Sequence, residues 1–172
     1  FAILGEIVEK ASGKSYAEAV TEMLADMKVA GIQPGVTLSP APNEAKYFEA
    51  GRPRLYNSLF KPGQKCSPAY GGYSLETILP FGGWIASING LKSFVLQTAA
   101  KPGFTGLGWH EAVGGTSRKR IFFHGGSLEG ANAFILYSEQ GVGVVGLYNC
   151  GPGLSGAPVY NIIATDYLSQ KL

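Results

Sequence analysis

The run Phe122-Phe123-His124-Gly125-Gly126-Ser127-Leu128-Glu129-Gly130 combines the residue types most suited to chemistry in this sequence. A β-rich stretch ends in a side chain able to titrate near neutrality, and a glycine pair and a hydroxyl follow it. Glycines inside a strand sacrifice packing, so they mark either a bulge before a hairpin or a place where a ligand or another backbone comes close. In the second reading an edge strand presents the Ser127 N–H to a developing oxyanion, with His124 alongside. His110, Glu111 and His124 could be imagined as metal ligands, but two histidines on separate strands fit no helical ligand motif and a third good ligand is lacking, so no metal or cofactor is expected. The basic triplet Arg118-Lys119-Arg120 stands beside Gly114-Gly115 and reads as a solvated turn. Tyr47, Tyr56, Tyr70, Tyr73 and Trp84 either line a pocket with their amphipathic rings or cover the end of a sheet.

These residues need elements to hold them. Ile3, Leu4, Ile7, Val8 and Ala11 form one helical stripe that stops at Gly13. Ser15 with Glu18 reads as a capping box for a second helix, whose apolar face is Ala19, Val20, Met23, Leu24 and Met27. From Ile32 to about Gly83 the text is rich in Pro, Gly, Asn, Ser and Tyr without a sustained period, which predicts loops and short strands forming a functional wall. Ser87 caps a helix carrying Leu91, Phe94, Val95, Thr98 and Ala99, closed by Lys101-Pro102-Gly103. The period then becomes two. Gly106 to Val113, Arg118 to His124, Ala131 to Ser138 and Val142 to Asn149 predict an antiparallel meander with a hairpin turn at Glu139-Gln140-Gly141. Val159, Ile162, Ile163, Tyr167 and Leu168 after Pro158 predict a closing helix across the sheet. The pattern is α+β, an antiparallel sheet flanked by helices: a helical part (1–31), a loop-rich wall (32–83), then helix, sheet and terminal helix (84–172).

Composition narrows the function. At 172 residues, 45% apolar and 15% charged, the chain can bury a core as one domain. Its 14 basic and 12 acidic residues leave a net charge of +2, too small a field to gather nucleic acid, so no nucleic-acid partner is expected. The long uncharged run from Gln140 to Thr165 is broken by glycines, prolines and asparagines, so no membrane span is expected. Cys66 and Cys150 have no C-x-x-C spacing, and the sequence fixes neither their redox state nor a compartment. The 25 glycines follow no triplet period, so they read as turns and close approaches.

Several blocks, in order, resemble the serine hydrolases that include class C β-lactamases, penicillin-binding proteins, D-aminopeptidases and related esterases. Phe1 to Tyr16, with Leu4-Gly5-Glu6-Ile7-Val8-Glu9 and Ser12-Gly13-Lys14-Ser15-Tyr16, is similar to that family's helix after its Tyr-x-Asn motif. Gly82-Gly83-Trp84-Ile85-Ala86-Ser87 with Leu91 and Phe94 resembles its Gly-Gly turn and following helix, and Gly106-Leu107-Gly108-Trp109 its sheet entry. His124-Gly125-Gly126 is similar to the third motif, written Lys-Thr-Gly or His-x-Gly in the family. Ala133 to Asn149 resembles the hairpin that ends in Asn. The resemblance spares only about 32–73.

It implies a β-lactamase/transpeptidase-like fold and a serine activated by a lysine and a tyrosine, attacking an amide, ester or β-lactam carbonyl to give an acyl-enzyme. It assigns His124 either a hydrogen bond to the substrate or an electrostatic influence on the tyrosine of the Tyr-x-Asn motif, Gly125 and Gly126 close approach of substrate to the strand, Ser127 one backbone oxyanion donor, and Asn149 a place near the substrate's carboxylate. The Ser-x-x-Lys and Tyr-x-Asn motifs should precede Phe1, so the chain reads as the C-terminal portion of the domain, with the nucleophile helix missing. Ser58-Leu59-Phe60-Lys61 spells the first motif, but it follows the helix it should precede, and Pro62 drives Lys61 out of the α region. Ser87-Ile88-Asn89 is better explained by capping. The expected partners are a small-molecule or peptide substrate and either the missing N-terminal half or a second copy, and the chain alone is expected to be inactive. The alternative is a non-catalytic binding or interaction module on the same fold.

Overall fold

The computed structural model describes residues 1–48, 54–99, 108–114 and 119–150. Helix α1 covers Ala2–Ser12 and ends on Gly13 in the left-handed conformation at φ 70°. Ser15 then accepts from the Glu18 N–H while the Glu18 carboxylate accepts from the Ser15 N–H, the reciprocal box anticipated for helix α2, Tyr16–Asp26. The wall that follows is built from short pieces. Strands β1 (Ile32–Pro34), β2 (Tyr56–Asn57) and β3 (Lys65–Cys66) lead through a single 3₁₀ turn at Pro68–Tyr70 to the one-turn helix α3, Leu75–Ile78. Strand β4 (Trp84–Ala86) pairs back on β1, and β2 pairs with β3, both antiparallel. Ser87 accepts from the Gly90 N–H to start helix α4, Ile88–Gln97.

The principal sheet has the order β5-β6-β7-β8, all neighbours antiparallel: β5 His110–Gly114, β6 Lys119–Leu128, β7 Ala131–Ser138 and β8 Gly143–Tyr148. Alternation of side chains gives it two working faces. On one, Ile121, Phe134 and Leu136 form the buried core with Phe123, Val144 and Tyr148 around them. On the other, α4 crosses β7 and β8, its Val95 3.8 Å from where a side chain at Gly143 would start. The molecule is therefore an α+β fold with antiparallel sheets flanked by helices, as the change of period from 3.6 to 2 anticipates.

Two details differ from the sequence reading. Strand β6 does not stop or bulge at the glycine pair but keeps unbroken register with β7 as far as Leu128, because the two-residue turn Glu129-Gly130 lies beyond it. The first strand of the meander begins at His110, with Gly108 at φ 77° turning the chain before it. Separately, the stripe of α1, read in the sequence as one apolar helix face, faces outward, with Ile3 75% and Ile7 54% exposed. The closing helix expected after Pro158, the helix end at Lys101-Pro102-Gly103, and Arg118 lie outside the described residues. No described helix is long and apolar enough to cross a membrane.

Candidate functional site

The tight turn fixes which way each peptide of β6 points. Gly130 takes φ 83° there, and a Cβ on it would stand 2.8 Å from Cβ of Tyr47. In a two-residue hairpin the flanking pair, Leu128 and Ala131, exchange hydrogen bonds, so Gly126 and His124 also face β7 with their N–H and C=O groups. Gly125 and Ser127 consequently direct theirs away from β7, toward the side occupied by β5. Strand β5 pairs only with Lys119 to Phe123, so among the described residues no strand covers the outer side of β6 from Gly125 to Leu128. The Ser127 N–H is a donor on an open edge.

Among the described residues nothing requires the glycine pair. Neither Gly125 nor Gly126 has a positive φ. Among the described residues a Cβ at Gly126 would meet no atom within 4 Å, and one at Gly125 only the Ala133 carbonyl at 3.8 Å. Bare backbone at an open edge is what a close-approaching ligand needs.

Beside this edge lies a cavity of about 550 Å³. Gly126, Ser127 and Leu128 of β6, Ala131 to Ala133 of β7, and Leu147 to Asn149 at the end of β8 form one wall, and Phe81 to Ala86 with Asn43 to Tyr47 form the other. The second wall is pinned. The Asn149 amide Nδ2 donates to the Lys46 carbonyl at 2.9 Å, and the Phe48 N–H donates to the Asn149 carbonyl at 3.0 Å. Tyr47 is held at both ends, its N–H donating to the Tyr70 hydroxyl at 2.9 Å and its own hydroxyl donating to Glu44. Burial first, then that bond and the charge of Glu44, push the Tyr47 hydroxyl far above its ordinary range, so it stays protonated. Glu44 also accepts from the Ala41 N–H at 2.9 Å. Trp84 commits its indole N–H to the Leu79 carbonyl at 2.9 Å and packs edge-on against Tyr16.

The residues singled out in the sequence are thus divided. Gly126, Ser127 and Asn149 line the cavity together; His124 and Gly125 do not. The His124 Nδ1 lies 3.0 Å from the Gly125 carbonyl. A carbonyl only accepts, so Nδ1 carries the hydrogen and Nε2 is the acceptor of the neutral ring. That ring stacks on His110 with centroids 5.4 Å apart and meets Phe1 edge-on at 6.2 Å. Among the described residues no group of three metal-binding side chains assembles there. Ser58 lies in a turn outside the cavity, its hydroxyl accepting from the Phe60 and Lys61 N–H groups, so the Ser58-x-x-Lys61 pattern is not on a helix. Arg120 makes a two-pronged contact with Glu111 across β5 and β6, at 2.6 and 2.7 Å. Of the five aromatic residues proposed for a pocket, Tyr47, Tyr73 and Trp84 line it; Tyr70 stands behind Tyr47, and Tyr56 is on β2. Glu44 and Tyr148 were not legible as site residues: the first sits in patternless loop text, and the second ends a strand like any aromatic.

Comparison with solved structures gives a D-stereospecific amidohydrolase from Streptomyces sp., 17% identical, with a TM-score of 0.59. The likeness covers 92% of this chain and 51% of that one, so the chain spans about half the length of its structural neighbour. It shows the fold, β-lactamase/transpeptidase-like. No family model matches the sequence, and no curated protein matches it.

Proposed function

We propose that the chain forms the substrate-binding wall of a serine hydrolase that opens amide, ester or β-lactam carbonyls through an acyl-enzyme. The observation carrying this is the outer edge of β6, which no described strand covers from Gly125 to Leu128, where a glycine pair that the packing of the described residues does not require leads to Ser127, a cavity-lining residue whose N–H points away from β7. On a fold shared with an amidohydrolase, that is where an acyl oxygen would be held. Ser127 donates one oxyanion hydrogen bond, Gly125 and Gly126 let the substrate lie along the strand, and Asn149 faces it through the cavity. The nucleophilic serine, its lysine and the tyrosine come from a segment preceding Phe1. The ring contact between Phe1 and His124 supports this, since it brings the chain's first residue beside the third motif. There, His124 Nε2 is the group available to accept a hydrogen bond from an arriving hydroxyl.

The test is labelling of the natural protein with a fluorophosphonate or fluorescent penicillin, followed by peptide mapping. A labelled serine in a Ser-x-x-Lys sequence ahead of Phe1 is the expected result; label on Ser58 overturns the assignment. A second reading, a non-catalytic binding module, is favoured by the lining itself, because no serine–lysine or serine–histidine pair occurs among the described cavity residues. A natural protein that takes up no label yet binds ligand in the cavity would establish it instead.

A further inference from the structure

We infer that the cavity recognises an organic cation, an ammonium group borne on an aromatic or alkyl body, with Glu44 as its counter-charge. Among the described lining residues Glu44 is the one charged side chain, and no Lys, Arg or His accompanies it. The same cavity is lined by the aromatic residues Tyr47, Tyr73, Phe81, Trp84 and Tyr148. Ring faces are the negative ends of aromatic quadrupoles, so a cavity lined by aromatic residues and a single carboxylate favours an ammonium over a carboxylate.

Two of the polar edges in this lining are already spent. The Trp84 N–H is bonded to Leu79, and the Tyr47 hydroxyl is bonded to Glu44 and kept neutral. What they offer a ligand is ring surface. Glu44 uses one lone pair on each oxygen, for Tyr47 and Ala41, and each oxygen retains another for an ammonium hydrogen. At about 550 Å³ the cavity holds a drug-sized ligand, more than an ammonium alone, so the apolar remainder accommodates the body that carries it. The inference rests on the hydrolase reading only in making that ligand the substrate: an amide or ester with an amino group near the scissile bond.

The experiment is calorimetric titration of the full chain with three probes of one shape: benzylammonium, benzyl alcohol and phenylacetate. The expected order is benzylammonium tightest, at least tenfold ahead of benzyl alcohol, and phenylacetate weakest, with added salt eroding the first advantage alone. Glu44→Gln is expected to remove the tenfold preference while benzyl alcohol binding persists. Phenylacetate binding as tightly as benzylammonium overturns the inference, as does an unchanged preference in E44Q. If that variant fails to fold, the ranking of probes on the unmodified chain decides alone. Binding is read without turnover, so a protein that takes up fluorophosphonate yet prefers phenylacetate refutes only this inference. One that ranks the cation first but takes up no label refutes only the hydrolase reading.

Discussion

Ser127 matters for its main chain, and that makes its role separable from its side chain. Because its N–H points to the open side of β6, Ser127→Pro deletes a donor without removing a rung of the β6–β7 ladder. In the serine hydrolase proposed above this change is expected to lower kcat by about 10²–10³-fold, as loss of one oxyanion donor does, with far-UV circular dichroism unaltered. An unchanged kcat would remove Ser127 from the site. Glu76 offers a second test at this scale. Its carboxylate accepts from the Thr37 hydroxyl at 2.6 Å, the Thr37 N–H at 2.8 Å and the Ser74 hydroxyl at 2.8 Å. The Thr37 hydroxyl foremost, with backbone donors and Ser74, holds it at about 2 against an ordinary 4.5. A depressed carboxylate contributes stability that is complete above about 4.5 and drains away as pH falls toward 2. Glu76 is exposed, so solvent screening keeps the effect to about 1 kcal/mol or less. Urea midpoints measured from pH 7 to 2 are expected to fall more steeply for the unmodified chain than for Glu76→Gln in that window. Parallel curves would show that the bonds to Thr37 do not matter.

Among the elements, β7 and β8 interlock through one missing side chain. The Phe134 ring lies over Gly146, where a Cβ would sit 2.3 Å from its Cε1. Gly146→Ala is expected to destabilise the fold by about 1–3 kcal/mol, since a buried ring in the core cannot retreat freely, and chemical denaturation would measure it. A loss below 0.5 kcal/mol, on the order expected of a surface change, would mean the ring is free to move. Elements whose signals are local were legible in the sequence. Ser15 with Glu18, Ser87 before Gly90, and the alternation from Ala131 to Ser138 each carry their own physical instruction. The continuation of β6 through Gly125 and Gly126 was not, because glycine reads as a breaker, and only the partner strand shows that the pairing persists. The same division holds in the site. His124 to Ser127 announced themselves by interrupting an apolar run, whereas Glu44 acquires meaning only when the Asn43–Tyr47 segment is laid against the sheet.

At the scale of the whole molecule, the stripe of α1 turns an apolar strip to solvent: Phe1, Ile3, Leu4 and Ile7 are all more than half exposed. So contiguous an apolar strip calls for a cover, which we propose is either the preceding half of the fold or a second copy. The chain alone is expected to self-associate, with Ile3→Lys plus Ile7→Glu shifting sedimentation velocity profiles toward monomer. A well-behaved monomer of the unmodified chain at high concentration would contradict this. Taken alone it is also expected to show no turnover of nitrocefin or p-nitrophenyl esters, since no serine–lysine or serine–histidine pair stands among the described cavity residues. The tie between Asn149 and Lys46 spans 103 positions of sequence, and the Phe48–Cys150 bridge lies beside it. Contacts that distant form only after the loop between them has been closed, a slow event compared with zipping a hairpin. During refolding, the meander should therefore gain amide-exchange protection before the Asn43–Tyr47 segment does, leaving a kinetic window in which the strands exist but the ligand has nowhere to bind.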